Sequence, residues 1–300
     1  MKIGFIGLGK MGGPMVQRLL SGGHDVIVID HHQENIDAAT AKGAVVATNH
    51  SDMVSKLDSP IVIWLMIPAA RVDDELTSLL ELLPAGSIII DGGNSDFRLT
   101  RARAARCLEK NVTLMDVGTS GGIMGLENGY CMMVGGDQAT YATIEPLIQT
   151  LAQPGGYGYF GPAGAGHYVK MVHNAIEYGV MEAYAEGYMV LKEGKDYPDL
   201  DLGKAGQVWQ HGSIISSKLN ELATGILTTN ANLDGIDGYV AESGEARWTL
   251  EIAEEQAIPM PVVQASFDRR IASTKGETSF ATKLLAALRN GFGGHEINKK

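Results

Sequence analysis

The sequence predicts an α/β fold: a Rossmann-type doubly wound sheet domain over residues 1–163, then an all-α domain over residues 164–300. Three observations carry this. Short, continuous apolar runs alternate with amphipathic helical segments in the first half, the pattern of a parallel sheet covered on both faces. A glycine loop, Gly7-Leu8-Gly9-Lys10-Met11-Gly12, stands where the first strand passes into the first helix. Beyond the glycine-rich stretch 155–166 no strand pattern recurs and helix formers dominate.

The elements follow in order. Apolar runs place strands at 3–6, 26–29, 61–67, 87–90, 112–116 and 130–134. Helical spacing of apolar residues places helices at 12–20, 33–41, 73–83 and 97–108; Met11, Met15, Leu19 and Leu20 mark the first of these. A long helix is expected at 167–191, opening the second domain. The 300 residues, 45% hydrophobic, are enough for two cores. A net charge of -11 disfavours nucleic acid as a partner. Two cysteines, Cys107 and Cys131, make neither a disulfide framework nor a zinc set, so a reduced, cytoplasmic protein is expected. The apolar start is broken by glycines and Lys10, and reads as neither a signal peptide nor a membrane span.

The glycine loop has the spacing of a dinucleotide site. One glycine makes the turn, the second admits the pyrophosphate, and the third packs helix on strand. The helix N-terminus adds unpaired N–H groups and a positive dipole end. Asp30 closes the second strand, where a carboxylate accepts from a ribose 2′-hydroxyl and repels a 2′-phosphate. No arginine follows it, only His31 and His32. NAD is therefore the expected cofactor, with NADP less favoured. The alternative for Asp30 is a solvent-facing acid that starts a turn.

Two more polar segments stand at strand ends, where ligands of open α/β sheets bind. Asp91-Gly92-Gly93-Asn94-Ser95 follows the strand at 87–90, and Gly118-Thr119-Ser120-Gly121-Gly122 follows the strand expected to end at Asp116. Either segment alone reads equally well as a plain turn. In the long helix, Lys170, Asn174 and Glu177 share a face, with His173 and Tyr178 beside it and Val169, Val172 and Ile176 left to anchor it. A polar face of this kind is either a solvated stripe or, at a domain boundary, the acid–base side of a cleft.

At this point the residues resemble a known family, the decarboxylating 6-phosphogluconate dehydrogenases in their short form. The glycine loop, Asp91 to Ser95, Ser120-Gly121-Gly122 and the run from Lys170 to Tyr178 carry the resemblance, which spans nearly the whole chain. It implies that Lys170 is the base at the carbon-3 hydroxyl of 6-phosphogluconate and then, protonated, polarises the 3-keto acid as CO2 leaves. It implies that Glu177 protonates carbon 1 of the enediol, giving ribulose 5-phosphate in the pentose phosphate pathway. The base role asks for a neutral lysine, which burial or neighbouring positive charge favours. An ammonium serves as electron sink for a β-keto acid, and no metal ligand set is apparent.

By the same resemblance Asn94, Ser120, Gly121, Gly122, His173, Asn174 and Tyr178 bind substrate, and Arg247, Arg269 and Arg289 take the phosphate. Without the resemblance, Arg269 reads as a surface charge and Arg289 as a helix C-terminal cation. Arg289 to His295 is expected to reach the site of a neighbouring subunit, in a homodimer or homotetramer. Met66, Ile67, Pro68, His31 and Asn94 join the glycine loop and Asp30 on the cofactor side. Three departures from long forms stand out: Asp30-His31-His32 in place of Asn-Arg-Thr, a shorter helical domain, and Arg247 in place of lysine. Two rival functions are a 3-hydroxyisobutyrate-type dehydrogenase, with no essential role for Glu177, and a non-catalytic dinucleotide sensor.

Overall fold

The computed structural model describes residues 1–298; residues 299 and 300, the end of the expected second domain, lie outside the described residues. It divides into two compact units, Met1–Met171 and Val172–Lys300. Unit 1 runs β1 Lys2–Ile6, α1 Gly12–Ser21, β2 Asp25–Ile29, α2 Gln33–Thr40, β3 Val45–Val46, α3 His50–Lys56, β4 Val62–Leu65, α4 Val72–Leu80 and β5 Ile88–Asp91. It continues with α5 Phe97–Leu108, β6 Thr113–Ser120, α6 Gly125–Asn128, β7 Tyr130–Gly135, α7 Gln138–Leu151 and β8 Ala152–Gly161. The helix α8, Ala165–Glu193, begins in unit 1 and ends in unit 2.

The eight strands form one sheet in the order β3-β2-β1-β4-β5-β6-β7-β8. Strands β1 to β6 are parallel, and their side chains alternate between two cores. Ile3, Phe5, Val28, Trp64 and Ile90 pack on one face; Ile6, Ile27, Ile63, Leu65 and Ile89 pack on the other. Burial on both faces is why these strands read as unbroken apolar runs.

Three expectations about unit 1 need correction. Strand β7 is antiparallel to β6, because the short segment between them has no room for a crossover helix. This pairing carries β6 past Asp116: Gly118, Thr119 and Ser120 lie in the strand, not after it, with Ser120 opposite Cys131. The helix α7 and strand β8 occupy a stretch with no expected element. The strand β8 lies at the sheet edge, rich in glycine with a proline and mostly unburied, so its sequence lacks an apolar signature.

The units divide between Met171 and Val172, inside α8, whereas residue 163 marks the expected boundary. The first turns of α8 are built into the sheet. Buried Asp116 accepts from the Gly164 N–H at 2.7 Å and the His167 N–H at 2.8 Å, satisfying two donors at the helix start. A Cβ at Gly166 would collide with the Met133 carbonyl. Replacing Asp116 with Ala leaves two buried N–H groups unsatisfied, at about 1–3 kcal/mol each. Urea unfolding should therefore show a loss of several kcal/mol, and a loss below ~1 kcal/mol would remove this role.

Unit 2 is helical: the rest of α8, then α9 Leu202–Trp209, α10 Lys218–Thr229, α11 Glu245–Glu255, α12 Pro261–Thr274 and α13 Phe280–Gly293. Its main core joins Met181, Ala185 and Tyr188 of α8 to Leu227 of α10 and Leu284 and Leu288 of α13. A smaller cluster joins Ala175 and Tyr178 of α8 to Ala246 of α11 and Val263 of α12. Ile176, expected as an anchor, is 57% exposed. Its place is taken by Ala175 and Tyr178, three residues apart on the face toward the cluster.

Candidate active site

The strand order reverses direction between β1 and β4, the switch point where such sheets bind ligands. Backbone hydrogen bonds set the loops side by side there. The Gly7 N–H donates to Ile29 O at 3.0 Å, Met66 N–H to Ile6 O at 2.8 Å, and Gly92 N–H to Leu65 O at 2.9 Å. The glycine loop, Asp30, the 66–68 segment and the 92–95 turn are thus neighbours. Gly7 has φ 95° and lies against the Met66 carbonyl, so a side chain there is excluded twice over. Around Gly9 the space is open, with nothing within 4 Å of an added Cβ. Gly12 packs on the Gly7 carbonyl and starts α1 without a side-chain cap. A backbone open to approach at Gly9, beside an uncapped helix start, fits a pyrophosphate.

Asp30 accepts from the N–H groups of Leu8 and His32 and from Asn35 Nδ2. Burial alone would raise its pKa; the hydrogen bonds from His32, Leu8 and Asn35 outweigh this and hold the carboxyl below its usual range. Asp30 therefore pins the glycine loop to β2 as an anion. His31 is exposed beside it.

The 91–95 turn is organised by buried charge. Asp91, fully buried, accepts from the Gly93 N–H at 3.1 Å and from Ser95 Oγ at 2.8 Å. Arg103 of α5, 3% exposed, donates to Ser95 Oγ at 3.1 Å and to Ala69 O at 3.2 Å, and pairs with Asp73 at 2.7 Å. One guanidinium thereby ties the segment after β4 to the turn after β5. Asn94 projects from that turn, exposed.

Lys170 lies in α8 within unit 1 and is 6% exposed. A Cβ on Gly118 of β6 would collide with the Lys170 Cβ, so the strand carries glycine where the lysine stem passes. One turn earlier in α8, His167 shares a 2.8 Å hydrogen bond with Thr100, and its Nε2 is buried without a partner. Ser120, Gly121 and Gly122 close β6, the two glycines at φ 121° and 56°.

In unit 2, His173 Nδ1 stands 3.0 Å from Asn174 Oδ1 and 3.9 Å from Glu177 Oε2, one turn along α8. Tyr178 is 4% exposed, and the Arg270 guanidinium lies over its ring, 3.2 Å from the centroid. Burial lowers Arg270 to about 10, which leaves it charged at neutral pH. Burial also lowers Arg289 of α13, against the pull of Tyr178, Glu245 and Glu177 of its own chain.

The other expected phosphate ligands sit differently. Arg269, 43% exposed at its side chain, has its Nε 3.7 Å from Glu182. Arg247 is half exposed and paired with Glu242. His295 is exposed; its ring contacts Phe292 and its carbonyl accepts from Asn290. Residue-by-residue resemblance passed over Arg270. The signal for it is helical phase: Val263, Ser266, Arg270 and Ser273 form the buried stripe of α12, and Arg269 lies off it. Arg103 and Asp116, which hold the turn after β5 and the start of α8, were also missed. Among the described residues, no group of three His, Cys, Asp or Glu side chains is placed to hold a metal.

Comparison with known proteins decides the family. The NAD binding domain of 6-phosphogluconate dehydrogenase matches residues 2–189, and the C-terminal domain of the same enzyme matches residues 166–300. The chain belongs to the 6-phosphogluconate dehydrogenase family. It is 41% identical over 300 residues, all of both chains, to YqeC of Bacillus subtilis. It is 40% identical to the NAD(+)-dependent, decarboxylating 6-phosphogluconate dehydrogenase of Haloferax volcanii, covering 100% of this chain and 99% of that one. The 6-phosphogluconate dehydrogenase of Plasmodium falciparum, solved with NADP+ and with 6-phosphogluconate, superposes with a TM-score of 0.83 at 32% identity. That match covers 92% of this chain but 63% of the longer Plasmodium chain. A 3-hydroxyisobutyrate dehydrogenase of Mycobacterium tuberculosis shares the fold at 22% identity, with a TM-score of 0.74.

Proposed function

We propose that this chain oxidises and decarboxylates 6-phospho-D-gluconate to D-ribulose 5-phosphate and CO2, with NAD as electron acceptor. The observation that carries this reading is α8 itself. In a chain of this family it bears Lys170, His173, Asn174, Glu177 and Tyr178, and the last has a buried arginine seated on its ring.

Gly7 to Gly12 would hold the pyrophosphate and Asp30 the adenosine ribose, and the bound nicotinamide supplies a two-electron acceptor. Lys170 takes the proton of the carbon-3 hydroxyl. At 6% exposure it is held away from bulk water, beside the Gly118 strand. Once protonated, Lys170 polarises the new ketone, so that the electrons of the breaking carbon–carboxylate bond flow to oxygen. Glu177 then delivers a proton to carbon 1 of the enediol. Asn94, Ser120 and the Gly121-Gly122 backbone, with His173 and Asn174, hold the hydroxyls and carboxylate. Arg270, Arg289 and Tyr178 hold the phosphate, and Arg269 and Arg247 stand outside that set.

Purified protein with NAD and 6-phosphogluconate, followed for both NADH and CO2, tests the reading. Stoichiometric NADH and CO2 are expected. NADH without CO2 would leave a simple hydroxy-acid dehydrogenase, and neither product would leave a sensor.

Asp30 carries the cofactor choice. In Asp30→Ala the carboxylate that opposes a 2′-phosphate is gone, and the ratio of kcat/KM for NAD over NADP should fall by about tenfold or more. Loss of the Leu8 and His32 hydrogen bonds raises KM for both cofactors, so the ratio is the readout. An unchanged ratio would take the selectivity away from Asp30.

A further inference from the structure

The phosphate end of unit 2 contains a carboxyl that the reaction does not use. Glu182 lies one turn beyond Tyr178 on α8 and is 6% exposed. Both of its carboxyl oxygens are buried and lack a hydrogen-bond partner. The nearest cation is Arg269 of α12, whose Nε is 3.7 Å away, in range for an ion pair but too far for a hydrogen bond. Next to it Arg270, 2% exposed, lies over Tyr178 and donates to Met181 Sδ at 3.5 Å. Three charged groups act on Glu182: Glu186 from its own helix, and Arg269 and Arg270 from α12. Arg270 in turn feels Arg289 of α13, with Glu177, Tyr178 and Glu182 of α8.

A buried carboxyl without hydrogen bonds is poorly placed to be a permanent anion. A carboxyl beside two arginines is equally poorly placed to be inert. We propose that Glu182 is a proton-linked positioning residue: as a carboxylate it neutralises the Arg269–Arg270 pair, and it takes up a proton when a phosphate dianion arrives on Arg270. The idea rests on the phosphate reading of Arg270 and Tyr178 given above. It adds an exchange of counter-ions, in which the negative charge of the ligand replaces that of Glu182 and the buried cluster avoids holding both. Burial is the main cause that raises Glu182 to about 7, and Glu186 adds to it against the two arginines. The exchange therefore falls at neutral pH.

The sign follows. Below neutrality Glu182 is already protonated and Arg270 is free for phosphate. Above it the carboxylate competes. The KM for 6-phosphogluconate should rise with pH above neutrality, by up to ~10-fold per pH unit. The substrate's own phosphate, with a second pKa of about 6, becomes more dianionic over this range and pushes the other way.

The test is KM against pH, from about pH 6 to about pH 9, for wild type, Glu182→Gln and Glu182→Asp. Glu182→Gln should lose the rise and bind more tightly than wild type at high pH, while matching it at low pH. Glu182→Asp keeps a titrating carboxylate and should keep a rise. Calorimetry with inorganic phosphate, in buffers of different ionisation enthalpy, should show extra proton uptake in wild type over Glu182→Gln. The same KM rise in Glu182→Gln, or equal proton uptake, overturns the proposal. Should that variant fail to fold, a wild-type KM that does not rise above neutrality overturns it alone. If no NADH forms at any pH, the enzymatic reading fails, and the calorimetric difference still decides the proton link.

Discussion

Lys170→Met is expected to lower turnover of 6-phosphogluconate with NAD by at least the ~10²–10⁴-fold that a general base supplies. Methionine keeps the unbranched stem that passes Gly118, so the α8 junction should keep its packing. Cofactor affinity should change little, because the glycine loop and Asp30 are held by β1 and β2 independently of α8. The more discriminating variant is Lys170→Arg. It keeps a cation but remains charged at any accessible pH, so it cannot accept the hydroxyl proton. Both variants should fail alike in single-turnover formation of NADH. Substantial activity in Lys170→Arg would mean that the residue only binds substrate, and the base would have to be sought elsewhere. Glu177→Gln should cut turnover with a smaller effect on KM, since its proton is needed after CO2 has left.

What the sequence disclosed and what it hid divide along physical lines. The β1–loop–α1 unit was readable because three local signals agree: an apolar run, fixed glycine spacing and a helical apolar stripe. The polar face of α8 was readable because a helix brings distant letters into a short motif. The devices that support the site were not readable. Asp116 caps α8 from 48 and 51 residues away, and Thr100 meets His167 across 67. No local pattern marks such pairs. The 91–95 segment reads from its letters as a plain turn as readily as a ligand loop, and nothing local says that the oxygens of Asp91 are spent on Gly93 and Ser95. Gly118, expected after its strand, is a strand glycine that makes room for Lys170. The edge strand β8 escaped because exposure, not pairing, decides its composition.

The neighbouring arginines of α12 give the sharpest contrast between letter and structure. Arg270→Met should raise KM for 6-phosphogluconate by roughly ten- to a hundredfold, the equivalent of about 1.5–3 kcal/mol for a lost charged hydrogen bond. Arg269→Met should raise it by far less. Both positions carry the same side chain, so the difference must come from placement. Arg270 is on the buried stripe of the helix and seated on Tyr178, whereas Arg269 is 43% exposed, where solvent screens its charge. Methionine fills most of the volume of Arg270 and is compatible with Met181 and the Tyr178 ring, so the fold should survive. Comparable effects from the two variants would move the phosphate to the exposed side of α12. A loss of kcat with unchanged KM in Arg270→Met would place Arg270 at the reacting carbons rather than at the phosphate.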